Sequence, residues 1–196
     1  ALFAPLIRTA AVDGFAEFDT LRAHVKRVRQ HSLDHLEYYL GKFEHEAVHN
    51  GNHVHFARDS AEMNSIVLEI CQQHSARRIA KGKSMVTEET GLNSFLQRAG
   101  LQVMETDLGE YIIQQSGETP SHIIAPAVHK SREDIADLFA EKHKRPRLTD
   151  ITEMTHEARE ILRPLFLDAD MGISGANFLV AETGSTMIVT NEGNGR

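Results

Sequence analysis

Near its end the chain carries two short apolar runs, Asn177-Phe178-Leu179-Val180-Ala181 and Thr186-Met187-Ile188-Val189-Thr190, set among glycines at 172, 175, 184 and 193. Runs this short, bounded by turn residues, read as strands rather than helices. Gly172 and Gly175 read as turns before the first strand, and Thr183-Gly184-Ser185 as a tight turn between the two. Each run closes on polar groups: Glu182 and Thr183 after the first, Asn191, Glu192 and Asn194 after the second. Polar residues crowded at the ends of buried strands are where α/β folds put ligand chemistry. The same pattern also suits a hairpin whose glycines serve geometry alone.

Upstream, helical and strand patterns alternate. Phe15, Phe18, Leu21, Val25 and Val28, then Leu33, Leu36, Tyr39, Leu40 and Phe43, follow helical spacing, with Asp13 or Asp19 as a cap and Gly41 tolerated inside. After a turn at Asn50-Gly51-Asn52, His53 to Ala57 alternates as a strand, and Asp59 starts a helix with Met63, Ile66, Val67 and Ile70 inward. Strands are expected at 78–83, entering a loop, and at 101–105, 111–113 and 122–126, and helices from Thr87 to Gly100, from Ser131, and from Thr152 to Leu167 with an interruption at Pro164. This alternation predicts an α/β fold: a mostly parallel sheet with helices on its faces, preceded by a helical arm over residues 1–48, with 49–196 as the α/β body.

The net charge of −7 argues against nucleic acid or an anionic membrane surface as partner. The one basic cluster, Lys142 to Arg147, reads as a solvated helix end. The single cysteine, Cys71, lies on an apolar helical pattern and reads as core, so the chain forms no internal disulfide. No apolar run approaches the roughly 20 residues of a membrane span and no signal-peptide pattern opens the chain, which points to a cytoplasmic protein.

Three ordered motifs carry a family resemblance: Lys83-Ser84-Met85-Val86-Thr87-Glu88-Glu89-Thr90-Gly91-Leu92-Asn93, Ile124-Ala125-Pro126-Ala127-Val128-His129-Lys130, and the segment from Asp170 to Asn194. From about Phe18 onward the chain resembles the lactate-utilisation (LUD) domain family, in particular the N-terminal domain of its iron–sulfur members. The resemblance implies a three-layer fold of the kind shared by ribose-5-phosphate isomerase, glucosamine-6-phosphate deaminase and CoA transferases. It also implies participation in the oxidation of L-lactate to pyruvate beside other lactate-utilisation operon subunits. Two [4Fe–4S] clusters are expected in a C-terminal cysteine-rich part that this chain lacks, so none is expected here.

Lys83 and Ser84, between a strand and a helix N-terminus, suit a carboxylate or phosphate such as lactate or pyruvate, or form only an exposed loop. Glu88 and Glu89 sit in a first helical turn, where carboxylates offset the macrodipole, and Glu88 is the one favoured as a ligand or base. Glu182, just past an apolar strand, is the candidate nucleophile or base by analogy with CoA transferases, or else a turn carboxylate. His129 is the candidate acid–base group. Gly172, Gly175, Asn177, Asn191 and Asn194 complete the candidate ligand-binding set. The His31/His35 pair and the group His49, His53 and His55 lack the pattern of a zinc site, and no metal is expected.

Three functions stay open at this level. One is a carboxylate- or partner-binding domain of a lactate-oxidising protein, inactive in isolation. The second is an isomerase or acyl/CoA transferase using Glu182. The third is an assembly scaffold docking through the helical arm.

Overall fold

The structure, a computed structural model, describes residues 3–121 and 125–190. Contacts divide the chain into two compact units, Ala1–Val54 with Leu179–Ser185, and His55–Phe178 with Thr186–Arg196.

The first unit holds α1 (Phe3–Asp13), α2 (Phe18–Asp34) and α3 (Leu36–His49). The helical spacing read in the sequence is present, but α2 buries none of its residues; Leu21, Val25, Val28 and Leu33 are each 46–60% exposed. Neither expected aspartate caps α2: Asp13 closes α1, Asp19 lies in the first turn of α2, and the N-cap position is Glu17 without a side-chain bond. Gly41 lies within α3, where a Cβ would meet nothing within 4 Å. Leu179–Ser185 is a hairpin tip held close to α3. Gly184 adopts φ +65°, and a Cβ there would come within 2.2 Å of the Ala47 nitrogen, so only glycine fits. Asn50 Nδ2 donates to the Thr183 carbonyl at 3.1 Å.

The second unit runs α4 (Ser60–Gln73), β1 (Arg78–Lys81), α5 (Met85–Glu89), α6 (Leu92–Arg98), β2 (Gln102–Glu105), α7 (Leu108–Ser116), α8 (Arg132–His143), α9 (Ile151–Leu167) and β3 (Met171–Ile173). Asp59 caps α4 by accepting from the Glu62 N–H, and Ser131 forms a capping box with Asp134 at the start of α8. The three strands form a small parallel sheet in the order β2-β1-β3, with Ile79 opposite Val103 and Met171.

Strand alternation assigns each face a partner. Ile79 and Val103 pack with Cys71, Leu92 and Leu96, from α4 and α6; the two leucines are fully buried, each contributing on the order of 1.5–3 kcal/mol. Met104 points the other way, into a second cluster of Tyr111, Ile112, Ala136, Phe139, Met154 and Ala158 from α7, α8 and α9. Helices therefore cover both faces of a small parallel sheet, as an α/β fold requires. Cys71 is fully buried, as the sequence indicates.

Several local readings need correction. Residues 53–57 form no strand, because the alternation has no sheet edge to pair with and Phe56 stays 56% exposed. Tyr111-Ile112-Ile113 belongs to α7; all three are buried, and a short run buried on all sides does not by itself distinguish strand from helix. The helix expected from Thr87 to Gly100 is two helices, separated at Gly91 with φ +64°. Pro164 does not interrupt α9, since it stands in the last turn, where the Asp168 N–H bonds to its carbonyl at 2.9 Å. Gly172, read as a turn, is the centre of β3 and pairs with Ala80. The hairpin is present as β4 (Phe178–Val180) and β5 (Ser185–Met187), but its apolar residues are exposed rather than buried. Of the strand expected at 122–126, residues 122–124 lie outside the described residues.

Candidate functional site

The carboxyl ends of β1 and β2 place charges where the apolar alternation would continue. Lys81 follows Ile79 on one face of β1, and Glu105 follows Val103 on the same face of β2. The two are register partners, and Lys81 Nζ donates to Glu105 Oε1 at 2.8 Å with side chains 1% and 5% exposed. Asn93 on α6 donates through Nδ2 to the same oxygen at 2.5 Å. The Glu105 main chain is fixed as well, its N–H donating to Gln114 Oε1 on α7 at 3.1 Å. Thr106 Oγ1 donates to the Lys81 carbonyl at 3.0 Å, closing the strand ends together.

A second ion pair stands beside the first. Lys83 Nζ lies 2.7 Å from Glu110 Oε1 at the start of α7; Glu110 is 4% exposed and Lys83 31%. Glu88 on α5 faces all four of these charges. Burial pushes its carboxyl above the usual range; the carboxylates of Glu110 and Glu105 push the same way, while Lys81 and Lys83 oppose. Half-exposed Lys83, Glu88 and Asn93 thus stand over buried Lys81, Glu105 and Glu110.

The loop between β1 and α5 is shaped by backbone as much as by side chains. Ser84 caps α5 by accepting from the Thr87 N–H, and Thr87 Oγ1 donates back to the Ser84 carbonyl at 2.8 Å. Gly175 passes so close that a Cβ would lie 3.1 Å from Ser84 Cβ and 3.3 Å from the Lys83 carbonyl. On the opposite sheet face, Ala80, Gly82 and Gly172 leave a hollow of about 390 Å³ bounded by Phe166 and Ala169.

Of the residues singled out by sequence, Lys83, Ser84, Glu88 and Gly175 come together at the strand ends, and Gly172 lines the hollow on the other face. Asn177 instead ties the base of the hairpin, its Oδ1 accepting from the Val189 N–H at 2.7 Å. His129 Nδ1 lies 2.6 Å from the Ser121 hydroxyl and its Nε2 2.8 Å from Glu118 Oε2, so these polar contacts are not with the strand-end carboxylates. Glu182 lies on the exposed hairpin turn of the first unit, after strand residues that are 39–58% exposed, so it does not follow a buried strand. Asn191 and Asn194 lie outside the described residues.

Lys81, Asn93, Glu105 and Glu110 did not stand out in the sequence. The available signal was a charge ending each apolar strand, Ile79-Ala80-Lys81 and Val103-Met104-Glu105. Also unread was a chain through the second core: Tyr111 OH donates to His143 Nε2 at 2.8 Å, and His143 Nδ1 donates to Glu157 Oε1 at 2.6 Å. Burial, reinforced by Glu157, pushes the Tyr111 phenol up to about 12. The network fixes α7 against α8 and α9, and α7 in turn carries Glu110 and Gln114 to the strand ends.

The residues do not fit a [4Fe–4S] cluster, which needs four thiolates. The single cysteine, Cys71, is buried with its Sγ 3.7 Å from Met171 Sδ, and burial pushes its thiol up, away from the thiolate form. Among the described residues no group of three or more His, Cys, Asp and Glu side chains is placed to hold a metal ion. No described helix is long and apolar enough to cross a membrane.

A family model described as the LUD domain matches residues 40–196. The chain is 44% identical over 190 residues to "Lactate utilization protein B" of Bacillus velezensis and to that of Bacillus subtilis, in both cases spanning 96% of this chain and 40% of the relative. The protein of the same name from Bacillus cereus is 43% identical over 187 residues, with 95% and 40% covered. The chain therefore spans about 40% of the length of these curated relatives. No solved structure matches it.

Proposed function

The chain belongs to the LUD domain family, and on that premise we propose that its strand-end cluster binds a small carboxylate within a protein of lactate utilisation. The observation that carries the reading is the pair of lysines, 81 and 83, set among Glu105, Glu110 and Glu88 at the carboxyl ends of parallel strands, where α/β sheets bind ligands. Lys83 is the cation at the mouth. Glycine at 175 keeps side-chain bulk away from the Lys83–Ser84 loop. Glu88, whose neutral form burial favours, limits the negative charge that an incoming anion meets.

The relatives' name supports lactate or its oxidation product pyruvate as the carboxylate. In this reading the domain takes part in oxidising L-lactate to pyruvate beside other operon subunits, and has little turnover in isolation. It assigns the two [4Fe–4S] clusters and electron transfer to sequence other than these residues. The resemblance to ribose-5-phosphate isomerase, glucosamine-6-phosphate deaminase and CoA transferases extends the same reading to the fold type, which the two-faced parallel sheet supports.

Isothermal titration of full-length protein with L-lactate and pyruvate tests the proposal. At least one should bind, and Lys83→Ala should weaken that binding about tenfold or more. Undiminished binding by a folded Lys83→Ala protein would remove the strand ends from consideration.

A further inference from the structure

The helix α2 carries an apolar seam. Phe18, Leu21, Val25 and Val28 recur at alternating steps of three and four residues. At about 100° per residue they fill an arc of about 80° on one side of the helix. A helix packed on a globular core shows a broader apolar face, whereas a strict three-four stripe is the seam by which two helices pair side by side. Yet α2 buries none of its residues, and Leu21, Val25 and Val28 are each about half exposed. Arg22 and Arg29 flank the seam on one side, His24 and His31 on the other. The helix has four basic residues, Arg22, Lys26, Arg27 and Arg29, against two acidic ones, inside a chain of net charge −7. No ion pair among the described residues engages Arg22 or Arg29.

We infer that α2 docks a helix of another polypeptide, one whose own three-four apolar seam is flanked by glutamate or aspartate. The inference stands apart from the strand-end reading. Paired helices set the residues flanking one seam against those flanking the other, so Arg22 and Arg29 meet carboxylates across the interface. A second copy of this chain supplies no such partner. Antiparallel α2 helices would set arginine against arginine, and parallel ones arginine against histidine. An anionic lipid surface would suit the basic flanks, but a helix lying in it buries a broad apolar face rather than a narrow seam.

The test is fluorescence anisotropy of the full-length protein with two labelled synthetic helices. Both carry leucine along a three-four seam; one has glutamate at its flanking positions, the other lysine. The glutamate helix should bind at least about tenfold tighter than the lysine helix, and the ratio should fall as salt is raised. Joint Arg22→Glu and Arg29→Glu substitutions should reverse the preference, and Leu21→Asn with Val28→Asn should abolish binding of both. These side chains are exposed, so far-ultraviolet circular dichroism of each variant should match wild type. Equal binding of the two helices, binding of neither, or a preference that survives the charge reversal overturns the inference. So does a full-length dimer in sedimentation that Leu21→Asn with Val28→Asn dissolves, which would give the seam to a second copy. Binding to phosphatidylglycerol vesicles that the same pair of substitutions abolishes, and that the glutamate helix fails to displace, would give it to lipid and overturn the inference as well.

Discussion

Lys81 and Glu105 are register partners on adjacent parallel strands and also a buried ion pair at 2.8 Å, so the sheet's registry and its most buried charges are the same contact. A one-residue slip of either strand would turn its charge to the opposite sheet face, away from the partner charge. Glu105→Ala leaves the Lys81 ammonium buried without its counter-ion, and should destabilise the fold by about 3–5 kcal/mol. A double Lys81→Met, Glu105→Leu variant should recover much of that loss. Urea denaturation of the three proteins measures both effects. A single variant as stable as wild type would show that the pair is not held as described.

Glu88 gives a pH dependence of definite sign. Burial raises its folded pKa above the ordinary value of 4.5. The stabilising contribution is therefore present below the unfolded pKa and is lost as pH rises through the higher folded value. Glu88→Gln should gain stability relative to wild type as pH rises through and above the ordinary carboxylate range. Denaturation midpoints that keep a constant separation across that range would contradict the burial of this carboxyl.

Tyr111 should titrate late. Its phenol is pushed up to about 12, and the difference in alkaline ultraviolet absorbance between wild type and Tyr111→Phe should develop there. The same variant leaves buried His143 Nε2 without its donor and should cost about 1–3 kcal/mol. A difference spectrum developing near the ordinary tyrosine value of about 10 would show the hydroxyl to be solvated.

Gly184→Ala brings a Cβ onto the backbone of Ala47 at a residue with φ +65°. The hairpin tip must then leave α3, which faster amide exchange at 179–185 would report. Exchange unchanged from wild type would show the tip to be held by something other than this approach.

What the sequence made legible was local. The strands at 78–81 and 102–105 showed as apolar runs, Asp59 and Ser131 as caps, Cys71 as core, and Gly184 as the turn of the hairpin, because each depends on a few neighbouring residues. Tyr111 to Ile113 was misread because complete burial erases the periodicity that separates helix from strand. Gly172 was misread because a three-residue strand built around glycine has no apolar run, and only its pairing with Ala80 defines it. The site divided along the same line. Lys83, Ser84 and Glu88 belong to one loop and helix start, whereas Glu105 and Glu110 join them only through sheet registry and the entry angle of α7. Glu182 drew attention through its apolar run, yet that run is exposed.

The most direct test of the account is to titrate isotopically labelled protein with L-lactate and follow its backbone amide resonances. The account predicts saturable shifts concentrated at residues 81–84 and 105–110. Saturable shifts confined to the hairpin tip at 179–185, or no shifts at all, would contradict it.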